Sequence, residues 1–201
     1  MVVAFVIHTV CPIGALAPRE SRVLYSRVFG PDEALFQDWQ RLQLHAEERR
    51  LLSVEKLAVV ARQVQSAVSL HREASGHPPV ETLPGEEALA LQDADTGVLR
   101  LRCGDPYLQE VSALWLAINC LSFVILCEPH ENLLLAEGTL RNLATHCLEH
   151  LHMLGQGSEI LLKSSRVDLL LSRLLPHGQL VFLNHRFAQS LEKDMAAYMH
   201  K

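Results

Sequence analysis

The chain has 201 residues, 49% of them hydrophobic and 20% charged, with a formal net charge of -5 and a pI near 6.1. One domain of this length buries a core without metals or disulfides, and a charged fraction below the usual quarter or so leaves apolar surface for a partner. The acidic balance, with no Lys or Arg stripe interleaved with aromatics, excludes a phosphate-backbone ligand, so no nucleic acid is expected.

"MVVAFVIHTV" begins its apolar run at once, without a basic leader and with His8 interrupting it. It reads as a first strand over Val2 to Val10 rather than as a signal peptide. "CPIGALAPRES" is a connection by its Gly and Pro content, and Arg22 to Phe29 is a second β-rich run, so the two strands form a leading hairpin.

Beyond Pro31 the period changes. Leu57, Val60, Ala61, Val64, Ala67 and Val68 recur at three- and four-residue intervals, which predicts an amphipathic helix ending before Gly76. Ser75 to Gly97 mixes Pro, Gly and acidic residues with little periodicity and is expected to be a mobile, solvated loop.

"VLRLRC", "LQEVSALWLAIN" and "CLSFVILCE" are three further strands. The last two also compose an apolar run from Val111 to Cys127 that reaches the lower edge of a membrane span. Asn119 lies at its centre, Glu110 and Glu128 flank it, and no Lys or Arg lies near enough to orient it. Two buried strands with a turn at Asn119 and Cys120 are therefore expected.

A second helix is predicted from about Asn132 to Leu154, with Leu140, Leu143, Ala144, Cys147, Leu151 and Leu154 as its apolar stripe. Ser165 followed by Asp168 predicts a capping box opening a third helix, which Pro176 and Gly178 stop. "QLVFL" is a short extended piece, and a final amphipathic helix carries Phe187, Leu191, Met195 and Tyr198. The order β-β-α-β-β-β-α-α predicts an α+β fold, one five-stranded antiparallel sheet with helices packed on it, as a single domain over residues 1–201.

"THCLEHLHML" holds His146, Glu149 and His150 in the order H-x-x-E-H, the inverted zincin pattern. With Cys147 centred on the buried stripe, His150 falls about 60° to one side and His146 about 100°, while Glu149 points nearly opposite. The histidines flank the core, and a catalytic zinc also needs a third ligand. Glu159, Asp168, His177, His185, Glu192, Asp194 and His200 are the downstream polar candidates, and none sits in a motif. Eleven histidines in the chain make a chance match unsurprising, so this is read as helix surface with no metal and no cofactor. No G-x-S-x-G elbow, phosphate-binding loop or G-x-G-x-x-G run exists, and Cys147 on the buried stripe is a poor nucleophile. The chain is not expected to be an enzyme.

Five cysteines, Cys11, Cys103, Cys120, Cys127 and Cys147, form an odd set without a C-x-x-C pair. They are read as free cytosolic thiols rather than as a disulfide framework or zinc ribbon.

Taken together, "VVAFVIHTV", "SRVLYSRVF", "HENLLLAEGTLRNLATHCLEHL" and "SSRVDLLLSRLLPHGQLVFLN" resemble the small, sigma-type subunits of heterotetrameric vesicle adaptor complexes over most of the chain. More narrowly, "RVLYS", "HENLLLAEGTL" and "LPHGQL" resemble the sigma branch of the fifth adaptor complex, associated with late endosomes. The resemblance implies a longin-like fold that scaffolds the N-terminal half of one large subunit. It implies large beta- and zeta-type and medium mu-type partners, further coat-like partners, and membrane contact only through the complex. It also implies a cytoplasmic protein peripheral on late endosomes and lysosomes, acting in endosomal sorting. A stand-alone longin regulator of small GTPases or membrane fusion is the alternative.

Related sigma subunits help bind acidic dileucine signals, and the resemblance carries this onto Arg22 at the start of the second strand and onto Leu121, Ala144 and Leu154 as apolar positions. Two departures stand against it. Met153 occupies the place where those subunits present an amide, and the chain is longer through Pro31 to Ser53 and Ser75 to Gly97. Arg22 is equally suited to pairing with an acid of the large subunit.

Overall fold

The structure is a computed structural model that describes residues 1–11, 21–29, 46–76, 87–104, 106–149, 163–182, 190 and 193. In chain order the elements are β1 (Val2–Thr9), β2 (Val23–Val28), α1 (Ala46–Ser75), α2 (Glu87–Gln92), β3 (Asp95–Leu101), β4 (Val111–Ile118), β5 (Leu121–Cys127), α3 (Leu133–Glu149) and α4 (Ser164–Leu174). A short 3-10 turn, Pro176–Gly178, follows α4.

Val, Ile and Phe dominate β1, Leu and Ala β4, and large apolar residues β5, and these three strands are buried along their whole length. The β-branched and aromatic residues among them fit a pleated surface, and an apolar run without polar alternation requires cover on both faces. The sheet order β2-β1-β5-β4-β3 puts these strands in the middle and leaves β2 and β3, the more polar ones, as edges. Every neighbouring pair is antiparallel.

Helices supply the cover. On one face α1 lays Leu57, Val60, Val64 and Val68 against Val6, Ala113, Trp115 and Val124. On the other, α3 and α4 lay Leu140, Leu143, Val167 and Leu171 against Phe5, Ile7, Leu116 and Phe123. This is the expected α+β, longin-like arrangement.

The apolar run from Val111 to Cys127 is a hairpin, as expected. Asn119 takes φ 51° in its turn, a conformation Asn adopts more readily than most residues because its short amide bonds locally. No described helix is long and apolar enough to cross a membrane.

Helix α1 ends at Ser75, before Gly76 as expected. The loop expected over Ser75 to Gly97 is shortened at its far end, because α2 occupies Glu87–Gln92 and β3 starts at Asp95. Ala90 of α2 is buried against the α3 side of the core, with Leu91 packed beside it, and that tertiary contact outweighs the acidic composition. Asp95 to Gly97 become strand because β4 offers ladder partners, Asp95 opposite Ala117 and Gly97 opposite Trp115. Residues 77–86 lie outside the described residues.

The capping box is not formed. Helix α4 begins at Ser164 with Lys163 at its cap and no side-chain bond to the cap backbone. Asp168 is turned instead toward β2. Helix α3, by contrast, has a working start: Asn132 Oδ1 accepts the Leu135 N–H at 3.1 Å and Glu131 Oε1 accepts the Asn132 N–H at 3.0 Å, satisfying donors that a helix end otherwise leaves open. Helix α3 is described to Glu149, short of the expected Leu154. Gln179 to Phe182 makes no strand. The apolar positions expected of the final helix lie outside the described residues, although Ser190 and Lys193 are helical.

Candidate functional site

The antiparallel register of β1 and β5 puts Thr9 opposite Leu121. Thr9 also binds the chain entering β2: its Oγ1 accepts the Arg22 N–H at 3.0 Å, and its N–H donates to the Arg22 carbonyl at 3.0 Å. Arg22 and Leu121 therefore occupy one end of the sheet, on either side of Thr9. The Arg22 side chain is exposed. Leu121 is 6% exposed and Ala144 on α3 is wholly buried in the same cluster. The structure brings Leu121 and Ala144 into one core, with Arg22 on the neighbouring rim. Leu154 and Met153 lie outside the described residues.

A polar lattice joins β2 to α4. Tyr25 OH donates to Asp168 Oδ1 at 2.5 Å, while Arg27 Nη1 donates to the Asp168 carbonyl at 3.1 Å and to Ser172 Oγ at 3.2 Å. Burial, reinforced by the Asp168 carboxylate, raises the Tyr25 pKa above the ordinary phenol value. Both β2 residues belong to the "RVLYS" stretch or its continuation, which gives that motif a physical role.

A second cluster surrounds the β4–β5 turn. Arg72 of α1 donates from Nε to Asp95 Oδ2 at 2.7 Å and from Nη2 to the Asn119 carbonyl at 2.9 Å. Its Nη1 lies 3.8 Å from Cys11 Sγ, which donates to the Asn119 carbonyl at 3.5 Å. Cys120 hydrogen-bonds to the Cys11 sulfur and pulls its pKa down; burial opposes this, Arg72 assists, and the result is about 6. Sequence reading missed this grouping, since Cys11, Arg72, Asp95 and Cys120 come from four separate elements or turns and share no local spacing.

The H-x-x-E-H stretch is partly described. His146 is half-buried and Glu149 exposed, as the helical wheel requires, and His150 lies outside the described residues. Among the described residues no three His, Cys, Asp or Glu side chains are grouped to hold a metal. Cys147 is wholly buried, and burial pushes its thiol up to about 12, where it is no nucleophile. A cavity of about 110 Å³ lies between edge strand β3 and α3, lined by Gly97, Trp115, Glu137 and Leu140 among others.

A family model described as AP-5 complex subunit sigma-1 matches residues 1–196. AP-5 complex subunit sigma-1 from Homo sapiens is 42% identical over 199 residues, covering 98% of this chain and 98% of the human one. AP-5 complex subunit sigma-1 from Mus musculus is 40% identical over 156 residues, covering 77% of this chain and 90% of the mouse one.

Proposed function

The chain belongs to the AP-5 complex subunit sigma-1 family, and from that premise we propose that it is the non-catalytic small subunit of a heterotetrameric adaptor. In this reading it scaffolds one large subunit, beside a second large chain and a medium chain, and serves endosomal sorting on late endosome and lysosome membranes. The observation that carries the reading is the match over residues 1–196, nearly the whole chain.

The surface supports it. Leu134 on α3 is 82% exposed and Phe182 80%, and Leu51 and Leu70 of α1 are also open. Scattered exposed apolar residues are ordinary, but large ones on both helical layers suit a domain embraced by a partner, since obligate interfaces resemble a core cut in half. Arg22, on the rim beside the buried Leu121 and Ala144, is assigned to an acidic contact; Leu154, carried over with them by the resemblance, lies outside the described residues. The acid belongs either to a dileucine signal or to the large subunit.

Affinity capture of the tagged chain from cytosol, with quantitative mass spectrometry, tests the proposal. Two large adaptor chains and one medium chain at stoichiometric levels are expected. Recovery of a small GTPase or membrane-fusion factor in their place would move the protein to the regulator class.

A further inference from the structure

The turn between β4 and β5 carries Cys120, and the chain leaving β1 brings Cys11 up to that turn. The Val10 N–H donates to the Cys120 carbonyl at 2.9 Å, continuing the β1–β5 ladder one step past Thr9 and Leu121. Cys11 is the next residue along. Cys11 lies past the end of β1, so it is not bound by the strand alternation that would send it to the face opposite Val10, and its side chain hydrogen-bonds to that of Cys120. Cys11 Sγ reaches back toward the turn, donating to the carbonyl of Asn119, the residue before Cys120, at 3.5 Å. Cys120 is exposed and Cys11 half-buried, so the pair is open to a small reagent.

The surroundings favour reaction at Cys11. Arg72 is fixed on two sides, by Asp95 and by the Asn119 carbonyl, with Nη1 3.8 Å from Cys11 Sγ. A guanidinium held beside a sulfur stabilises its thiolate, the attacking form. His71, whose Nε2 is 3.8 Å from Asp95, is a further titratable group on this side among the described residues. The contrast with the core thiols is plain: burial pushes Cys127 and Cys147 up to about 12, whereas Cys11 is held near 6.

We propose that Cys11 and Cys120 form a reversible, intramolecular disulfide by exchange with a low-molecular-weight disulfide of the glutathione type. The Cys11 thiolate attacks one sulfur of the reagent, forming a mixed disulfide and releasing one thiolate. Cys120, losing its proton, attacks Cys11 Sγ and expels the second thiolate, which takes up that proton. The two protein thiols are oxidised and the reagent is reduced to two thiols. The cross-link ties the chain leaving β1 to the β4–β5 turn, one residue from Leu121.

The test uses the full-length chain captured with its partners. Wild type is treated with oxidised glutathione, alkylated and mapped, and Cys120→Ser and Cys11→Ser are treated in parallel. A peptide joining Cys11 to Cys120 in wild type is expected, with Cys120→Ser trapping glutathione on Cys11. At pH 6 Cys11 should alkylate about tenfold faster than an unstructured cysteine peptide, the gain in thiolate fraction exceeding the loss of intrinsic nucleophilicity. Glutathione trapped on exposed Cys103 instead of Cys11, or a wild type that keeps both thiols free across the glutathione titration, would overturn the proposal.

Discussion

The hydroxyl of Tyr25 on β2 donates to the carboxylate of Asp168 on α4 across 143 positions of sequence, at 2.5 Å. Asp168 therefore serves an inter-element contact and not the start of its own helix. Removing the hydroxyl in Tyr25→Phe should cost about 1 kcal/mol, the usual net worth of such a bond. Ser165→Ala, which would cost a similar amount in a capping box, should change stability by less than about 0.5 kcal/mol. Urea unfolding of the two variants separates the alternatives.

Gly178 sits at φ +76°, and a Cβ there would meet the Val2 carbonyl oxygen and Phe29 Cβ at 2.6 Å each. Neither is the yielding tip of a flexible side chain. Gly178→Ala should therefore destabilise by roughly 2–4 kcal/mol, combining backbone strain with overpacking. A thermal midpoint unchanged from wild type would show that the Pro176–Gly178 turn is not seated under the β1–β2 edge as described.

His8 lies wholly inside the sheet. Its Nδ1 meets Ser21 Oγ at 3.0 Å and the Thr9 carbonyl at 3.1 Å, and its buried Nε2 has no hydrogen-bond partner among the described residues. Burial lowers its pKa from 6.5 to about 4. The unfolded chain thus takes up a proton that the folded chain refuses, so stability is intact above pH 6.5 and falls as the pH drops toward 4. The loss approaches about 3 kcal/mol. The difference in urea midpoint between wild type and His8→Gln should shift across that window, and a constant difference would contradict the assignment.

Gly138 is exposed in the middle of α3, with nothing within 4 Å of the position a Cβ would take. The fold by itself does not require glycine there. Gly138→Ala should stabilise the isolated chain by up to about 1 kcal/mol through helix propensity. If the large subunit's backbone approaches this face beside exposed Leu134, the same change weakens assembly. Measuring thermal stability and partner recovery on one variant distinguishes the two contributions.

Elements governed by local pattern were legible in the sequence. The spacing from Leu57 to Val68 marked α1, and the apolar run broken at Asn119 marked the β4–β5 hairpin, because both signals are local in the sequence. Helix α2 and the start of β3 were not legible, since Ala90 and Asp95 are ordered by α3 and β4, which lie elsewhere in the chain. The same applies to Asp168, whose spacing from Ser165 fitted a local cap while Tyr25 outcompeted it. At the candidate site, Arg22 and Leu121, named through the resemblance, flank Thr9 at one end of the sheet. The Cys11 and Arg72 grouping was invisible because only the fold assembles it.

The most direct test is native mass spectrometry of this chain co-expressed with the large, beta- and zeta-type, and medium, mu-type, chains proposed as its partners. One copy of this chain in a four-chain particle, lost as a unit with one large subunit on partial dissociation, is the predicted result. A chain that stays monomeric and folded in the presence of those partners would contradict the claim that it is an adaptor's small subunit.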